Sequence, residues 1–243
     1  MPYIYGRNPV MEALLHGQAI QKIYIQHGVQ GDKVRQIYRL ARRQHLAVAN
    51  ADQKKLQQMV GDVAHQGVVA LISAVRILPF EELPEAPKET APPACIVIAE
   101  RIQDPHNMGA IIRSAEIFGA AGVVFSDREN VPITDTVIKA SAGAALHCPL
   151  YKAENLARAA EILKEKGFWI YGAAPAAPLS LWETDFRRNC AVIIGGEEKG
   201  IRPLLQKKCD LLFRIPQVGQ TQSLNASVAA GVILAEALRQ RLG

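Results

Sequence analysis

Short apolar runs of β type alternate along the whole chain with longer segments whose apolar residues return every three or four positions. In the front third, runs at 22–26, 46–49 and 67–73 are separated by helical patterns at 9–15, 33–44 and 53–60, which predicts a small α/β sandwich. Further on, runs at 95–99, 122–126, 168–173, 191–195 and 211–215 carry apolar residues at successive positions. They are separated by helical patterns at 108–118, 156–166 and 223–241. Strands that are apolar on both faces and alternate with helices predict a mostly parallel sheet covered by helices. Gly119 and Gly167 each follow an apolar-periodic stretch, where glycine ends a helix.

Between the two regions, residues 79–93 read PFEELPEAPKETAPP, rich in proline and glutamate and without apolar periodicity. Proline removes backbone donors and favours extended chain, so residues 79–94 are expected to be a semi-rigid linker outside either core. This divides the chain into a front domain, 1–78, and a back domain, 95–243. With 49% hydrophobic residues the chain can fill two modest cores.

Charge adds a distinction between the domains. Residues 1–78 hold ten Lys and Arg against four Asp and Glu, a net +6, whereas residues 95–243 hold 17 against 15, a net +2. In the helix that follows Asp32, Arg35, Arg39, Arg42 and Arg43 recur at helical spacing, which gathers their charge on one side. Such a stripe is either a solvated face or a grip for an anionic partner. No run approaches the roughly 18 apolar residues of a membrane span, and the first ten residues lack the pattern of a leader, so a soluble, cytoplasmic protein is expected. The four cysteines, Cys95, Cys148, Cys190 and Cys209, are far apart and have no histidine at metal spacing. Neither a disulfide frame nor a metal site is suggested, and reduced, buried thiols are expected.

Candidate chemistry lies in three segments at or just after strand ends, where open α/β sheets bind ligands. The first, Asp104-Pro105-His106-Asn107-Met108-Gly109-Ala110-Ile111-Ile112-Arg113-Ser114-Ala115, follows the strand at Cys95. The second is Ile194-Gly195-Gly196-Glu197-Glu198-Lys199-Gly200-Ile201, and the third runs from Ile215 through Gln217, Gly219, Ser223, Leu224 and Asn225 into the last helix. Each has an ordinary reading: Asn107 and Ser223 as helix caps, Gly195-Gly196 as strand punctuation. Together they put three loops at one edge of one sheet. No G-x-G-x-x-G follows a strand, and residues 195–200 lack the Gly-Lys-Ser/Thr ending of a triphosphate loop, so a nicotinamide enzyme and a P-loop enzyme lose their main support.

In order and spacing the three segments resemble motifs one, two and three of the SpoU family of RNA 2′-O-ribose methyltransferases, within the wider SPOUT group. The front domain resembles the family's substrate-binding domain, with Tyr5-Gly6-Arg7-Asn8-Pro9-Val10 near its start and His65-Gln66-Gly67-Val68-Val69-Ala70 near its end. The two-domain layout is most similar to the bacterial members that methylate a guanosine of 23S ribosomal RNA. The fold this implies is a SPOUT-type, mostly parallel sheet with a C-terminal trefoil knot, preceded by a small L30e-like α/β RNA-binding domain. Motif two departs from the common family form: Gly196 stands where asparagine or alanine is frequent, and Glu198 where glycine is frequent.

The resemblance further implies S-adenosylmethionine as methyl donor, bound around Gly195, Ile215 and Leu224 with Ala173 beside them. Small residues leave room and free backbone groups for an adenine. It implies Arg113, Asn107, Glu197, Ser223 and Asn225 as the catalytic set. A guanidinium is a poor base, so Arg113 is expected to hold the target phosphate and stabilise the developing alkoxide. Asn107 and Glu197 are expected to fix Arg113 and the loops, and Ser223 and Asn225 to lie near substrate or donor; alternatively Glu197 pairs with Arg113 or another arginine. Arg7, Arg35, Arg39, Arg42, Arg43, His65 and Gln66 are the candidates for contact with RNA, ribosomal RNA first and transfer RNA as the alternative. The apolar stripe Val228, Val232, Ala235 and Leu238 is read as core packing or, by the resemblance, as part of a homodimer interface. A non-catalytic RNA-binding protein of the same fold is the rival outside enzymes, disfavoured by the presence of all five motif residues.

Overall fold

A computed structural model describes residues 3–15, 20–72, 75–88, 90–197, 199–220 and 223–242. The chain divides into two compact units, Met1–Arg76 and Ile77–Gly243.

The front unit contains β1 (Tyr3–Tyr5), α1 (Arg7–Leu15), β2 (Ile20–Gln26), α2 (Asp32–Arg43), β3 (Ala47–Ala51), α3 (Gln53–Val60) and β4 (Val68–Ile72). Its sheet has the order β1-β4-β2-β3, with only β2 and β3 parallel. The predicted helices and strands are all present, and Ser73, the end of the third predicted strand, lies outside the described residues. Val10, Ala13 and Leu14 of α1 and Val34, Ile37 and Ala41 of α2 pack with Ile23, Ile25, Val68 and Ala70 of the sheet. The i, i+3 and i+7 spacing of the α2 core residues is what leaves Arg35, Arg39, Arg42 and Arg43 on the exposed side.

The back unit contains β5 (Ile77–Pro79), β6 (Cys95–Glu100), α4 (Pro105–Ile117), β7 (Gly122–Phe125), α5 (Asp135–Ala140), β8 (Leu150–Lys152), α6 (Leu156–Glu165), β9 (Trp169–Ala173), β10 (Leu179–Ser180), β11 (Cys190–Gly195), α7 (Pro203–Gln206), β12 (Leu211–Arg214) and α8 (Ala226–Leu242). Eight strands lie in the order β10-β12-β9-β11-β6-β7-β8-β5, and every pairing among the described residues is parallel. Ile96 and Ile98 of β6 and Ala191 and Ile193 of β11 pack with Leu156, Ala159, Ala160 and Leu163 of α6. Their alternates, Val97 and Val192, are also fully buried and face the other side, where α4 lies against α5 and α8. Both helix ends predicted at glycine are present: Gly119 has φ +68 and Gly167 φ +90, conformations a Cβ disfavours.

The linker expectation is corrected. Ile77–Pro79 forms an edge strand against β8, and Phe80 and Leu83 are buried in the core of the back unit. Its prolines carry no donor, but its other backbone groups pair with the back unit: Leu83 O accepts from Lys166 Nζ, Pro87 O accepts from Asn189 Nδ2 at 2.8 Å, and Ala86 N donates to Lys166 O at 2.9 Å. Two apolar anchors and a few backbone hydrogen bonds suffice to dock a proline-rich strap that has no periodicity to reveal it.

The four cysteines are free thiols. Cys95 and Cys190 are neighbours in register on β6 and β11 with sulfurs 3.9 Å apart, and burial pushes the Cys148 and Cys209 thiols up to about 12.

Gly109, in the first-motif helix α4, sits where a Cβ would lie 2.5 Å from Ala140 Cβ and 2.8 Å from Ser141 N. Its role is the close approach of α4 to α5, and overpacking at such a contact costs about 1–3 kcal/mol. Gly109→Ala is therefore expected to lower the denaturant midpoint by that amount in spite of alanine's better helix propensity; an unchanged or raised midpoint would contradict the packing role.

Candidate active site

Parallel strands present their C-terminal ends along one edge, and the three motif segments leave from the ends of β6, β11 and β12. Here the second motif folds back on itself: Gly196 bridges Gly200, whose N–H donates to Gly196 O at 2.9 Å. A Cβ on Gly195 would lie 2.4 Å from Gly200 C, and one on Gly196 would lie 2.4 Å from Arg101 O. The second contact explains the departure at Gly196. Arg101 holds φ +57, and its carbonyl fills the space that an alanine or asparagine side chain would need. Glu198, the other departure, lies outside the described residues, as do Thr221 and Gln222 of the third segment.

Two clefts flank this loop. One, of about 560 Å³, is lined by Ala173, Gly195, Glu197, Ile215, Ser223 and Leu224 among others. All four residues expected to hold the methyl donor therefore share one cavity, and its apolar wall and three glycines fit the slot that an adenine requires. The other, of about 450 Å³, is lined by Arg101, Asp104, Asn107, Arg128 and Glu129, and shares Gly196, Glu197, Lys199 and Ala226 with the first.

At the shared wall the three motifs are tied by one carboxylate. Glu197 Oε1 accepts from Asn107 Nδ2 at 2.7 Å and from Asn225 Nδ2 at 2.5 Å, and Asn225 Nδ2 also reaches Asn107 Oδ1 at 2.9 Å. The other end of the Asn225 amide caps α8, with Oδ1 accepting from Ser227 N at 2.9 Å, Ser227 Oγ at 2.6 Å and Val228 N at 3.3 Å. Ser223 thus lines the donor cleft and does not cap α8. Nor does Asn107 cap α4: Asp104 does so, accepting from His106 N at 2.9 Å, which leaves the Asn107 amide free to reach Glu197.

Arg113 departs from expectation. It is exposed on α4, makes no hydrogen bond or ion pair among the described residues, and lines neither cleft. Glu197 and Asn107 fix each other and Asn225; they do not fix Arg113.

In the front unit, Arg7, His65 and Gln66 line a concavity of about 820 Å³ together with Lys33 and the amides of Gln26, Gln53 and Gln57. Arg7 is partly committed there, with Nε donating to Gln66 O at 3.2 Å. His65 is buried and accepts from Gly67 N at Nδ1, 3.1 Å. The α2 arginines Arg35, Arg39, Arg42 and Arg43 are exposed outside this concavity. Sequence reasoning missed the glutamines, and it missed Arg101, Arg128 and Lys199; for the last two, position next to strand-end loops was the available signal.

The model of the SpoU rRNA methylase family matches residues 94–235, and that of the RNA 2′-O ribose methyltransferase substrate-binding domain matches residues 3–78. This chain belongs to the SpoU rRNA methylase family. It is 37% identical over 239 residues to the putative TrmH family tRNA/rRNA methyltransferase YacO of Bacillus subtilis, covering 98% of this chain and 96% of that one. A putative TrmH family tRNA/rRNA methyltransferase of Staphylococcus haemolyticus is also 37% identical, over 98% of this chain and 95% of the relative. Among solved structures, the fold is similar to an AdoMet-bound rRNA methyltransferase from Sinorhizobium meliloti (TM-score 0.62, 24% identity, 98% and 86% of the two chains). It is also similar to an RNA 2′-O ribose methyltransferase (TM-score 0.58, 26% identity, 99% and 89%).

As a SpoU methylase the chain is an S-adenosylmethionine-dependent RNA methyltransferase, and the donor supplies an already activated methyl group. The residues of the cleft supply position. Gly195 and Gly196 keep the loop wall thin, the Asn107–Glu197–Asn225 cluster keeps it in place, and Ile215 and Leu224 form the apolar side. Gly195→Ala forces the loop away from Gly200, so calorimetric titration should show affinity for S-adenosylmethionine reduced at least tenfold with the melting temperature still cooperative; wild-type affinity would contradict the cleft assignment.

Proposed function

We propose that the protein transfers the methyl group to a ribose 2′-hydroxyl, and that its target is a guanosine of 23S ribosomal RNA. The observation that carries this reading is the Asn107–Glu197–Asn225 cluster at the wall shared by the two clefts. One cleft suits the donor, the other is open beside it, and polar groups line the partition, which is the arrangement an in-line transfer to an oxygen requires. Asn107, Glu197, Ser223 and Asn225 act by aligning the acceptor with the donor. Arg113 acts by stabilising the alkoxide and its adjoining phosphate.

For Arg113 to do so, a second copy has to be present. The face of α8 that carries Val228, Val232, Ala235 and Leu238 is the outward one, since Ala230, Ile233, Leu234 and Ala237 fill the core. Ile117 on α4, one turn beyond Arg113, is 58% exposed. Two-fold pairing of this apolar surface forms a homodimer and carries Arg113 toward the clefts of the other copy. The front unit, with its +6 charge and amide-lined concavity, binds the RNA.

Mapping 2′-O-methyl groups across ribosomal and transfer RNA should show one methyl lost from 23S RNA in cells lacking the protein. It should be restored by the wild-type chain and reduced roughly 100-fold in rate by Arg113→Lys. Loss from a transfer RNA instead would move the target to that class. Light scattering at micromolar concentration should give twice the 26.5 kDa chain mass; a concentration-independent monomer would remove the proposed part of Arg113.

A further inference from the structure

The cleft beside the donor site is bordered by cations that the fold does not use. Arg202 is occupied: its Nε donates to the fully buried Glu100 carboxylate at 2.5 Å, and another guanidinium nitrogen reaches Glu129. By contrast, Arg101, Arg128 and Lys199 line the cleft itself, and their side chains make no hydrogen bond or ion pair among the described residues. In the single chain Arg113 lines neither cleft, so the charge of an entering phosphate is met here by these three groups.

Two of them are positioned by a buried clamp. Asn130 Nδ2 donates to Ala99 O at 3.1 Å, at the end of β6, and to Ser126 O at 3.0 Å, at the end of β7, while its Oδ1 accepts from Ile102 N at 2.8 Å. Two of the hydrogen bonds of this 6%-exposed side chain, to Ala99 O and from Ile102 N, thus bind the turn carrying Arg101 to the turn carrying Arg128, and the third, to Ser126 O, closes the Arg128 turn on itself. Arg101 is moreover held at φ +57, a conformation uncommon for a residue other than glycine. A non-glycine residue kept in such a conformation at the rim of a cleft is a candidate for a functional side chain.

We propose that this second cleft seats the acceptor nucleotide, and that Arg101 and Arg128, on turns joined by Asn130, hold the RNA phosphates flanking its ribose, with Lys199 on the shared wall. The assignment rests on the 2′-O reading above. It makes Asn130 a positioning residue and adds, to the contact made by Arg113 of the other copy, charge contacts from the same unit that holds the donor.

The test uses the full chain, labelled S-adenosylmethionine, and total RNA from cells lacking the protein. Arg101→Gly removes the charge while relieving the left-handed backbone, so it should fold at least as stably as wild type. It and Arg128→Ala should each raise KM for RNA about tenfold. Together they should make the dependence of log kcat/KM on log salt shallower by about 1.4, two single-strand phosphate contacts. Affinity for S-adenosylmethionine should stay at the wild-type value, and Arg101→Lys with Arg128→Lys should recover most of the loss. Unchanged KM and salt slope in the double variant, with wild type active, overturn the assignment and leave the 2′-O reading intact. Alkali-labile wild-type product, showing that the methyl is not on the ribose, overturns that reading and this one with it.

Discussion

One carboxylate oxygen joins the three motif segments of this SpoU methylase. Glu197 Oε1 lies 90 residues along the chain from Asn107 and 28 residues before Asn225, and it accepts from both amides. Charge-assisted hydrogen bonds are the stronger kind, but solvent reaches this cluster, so its effect is less one of global stability than of register among loops. Each segment is also fixed from its other side: the first by the Asp104 cap, the second by the Gly196–Gly200 bridge, the third by the Asn225 cap. Asn225 serves in both capacities because an amide has an acceptor end for the helix and a donor end for the carboxylate. A serine or aspartate would cap α8 equally well but would not offer both amide protons to Glu197 and Asn107.

The back sheet was legible because its central strands, β6, β7, β9 and β11, are apolar on both faces and admit no other reading. The edge strands β5 and β10 were not, since two or three residues give no period to detect. The strap that begins at β5 was misread for a related reason. Its docking uses two buried side chains and backbone groups, and a peptide group carries no side-chain signature. Residue types in order picked out four expected donor-binding residues that share a cleft, but gave no sign that Arg113 lines neither of the two clefts. Nor was the wiring of the site legible. Ser223 and Asn225 are both good caps two residues apart, and only the start of α8 at Ala226 decides between them. The conflict between Gly196 and the Arg101 carbonyl is likewise a contact between segments 95 residues apart, invisible to local pattern.

The placement of charge separates two tasks that the sequence merges into one basic protein. The front unit carries most of the net positive charge, much of it on the exposed α2 face, where screening is strong and attraction is long in range but weak in geometry. The acceptor cleft is almost balanced, with Arg101, Arg128 and Lys199 facing Asp104, Glu197 and a Glu129 already matched by Arg202. A balanced cleft does not draw RNA from a distance, but its cations are left unpaired by carboxylates that are already hydrogen-bonded elsewhere. On the proposed reading, affinity and alignment change independently: charge lost from α2 weakens capture without moving the ribose. A shift of the Asn130 clamp, by contrast, moves both arginine-bearing turns without changing the charge that RNA meets first.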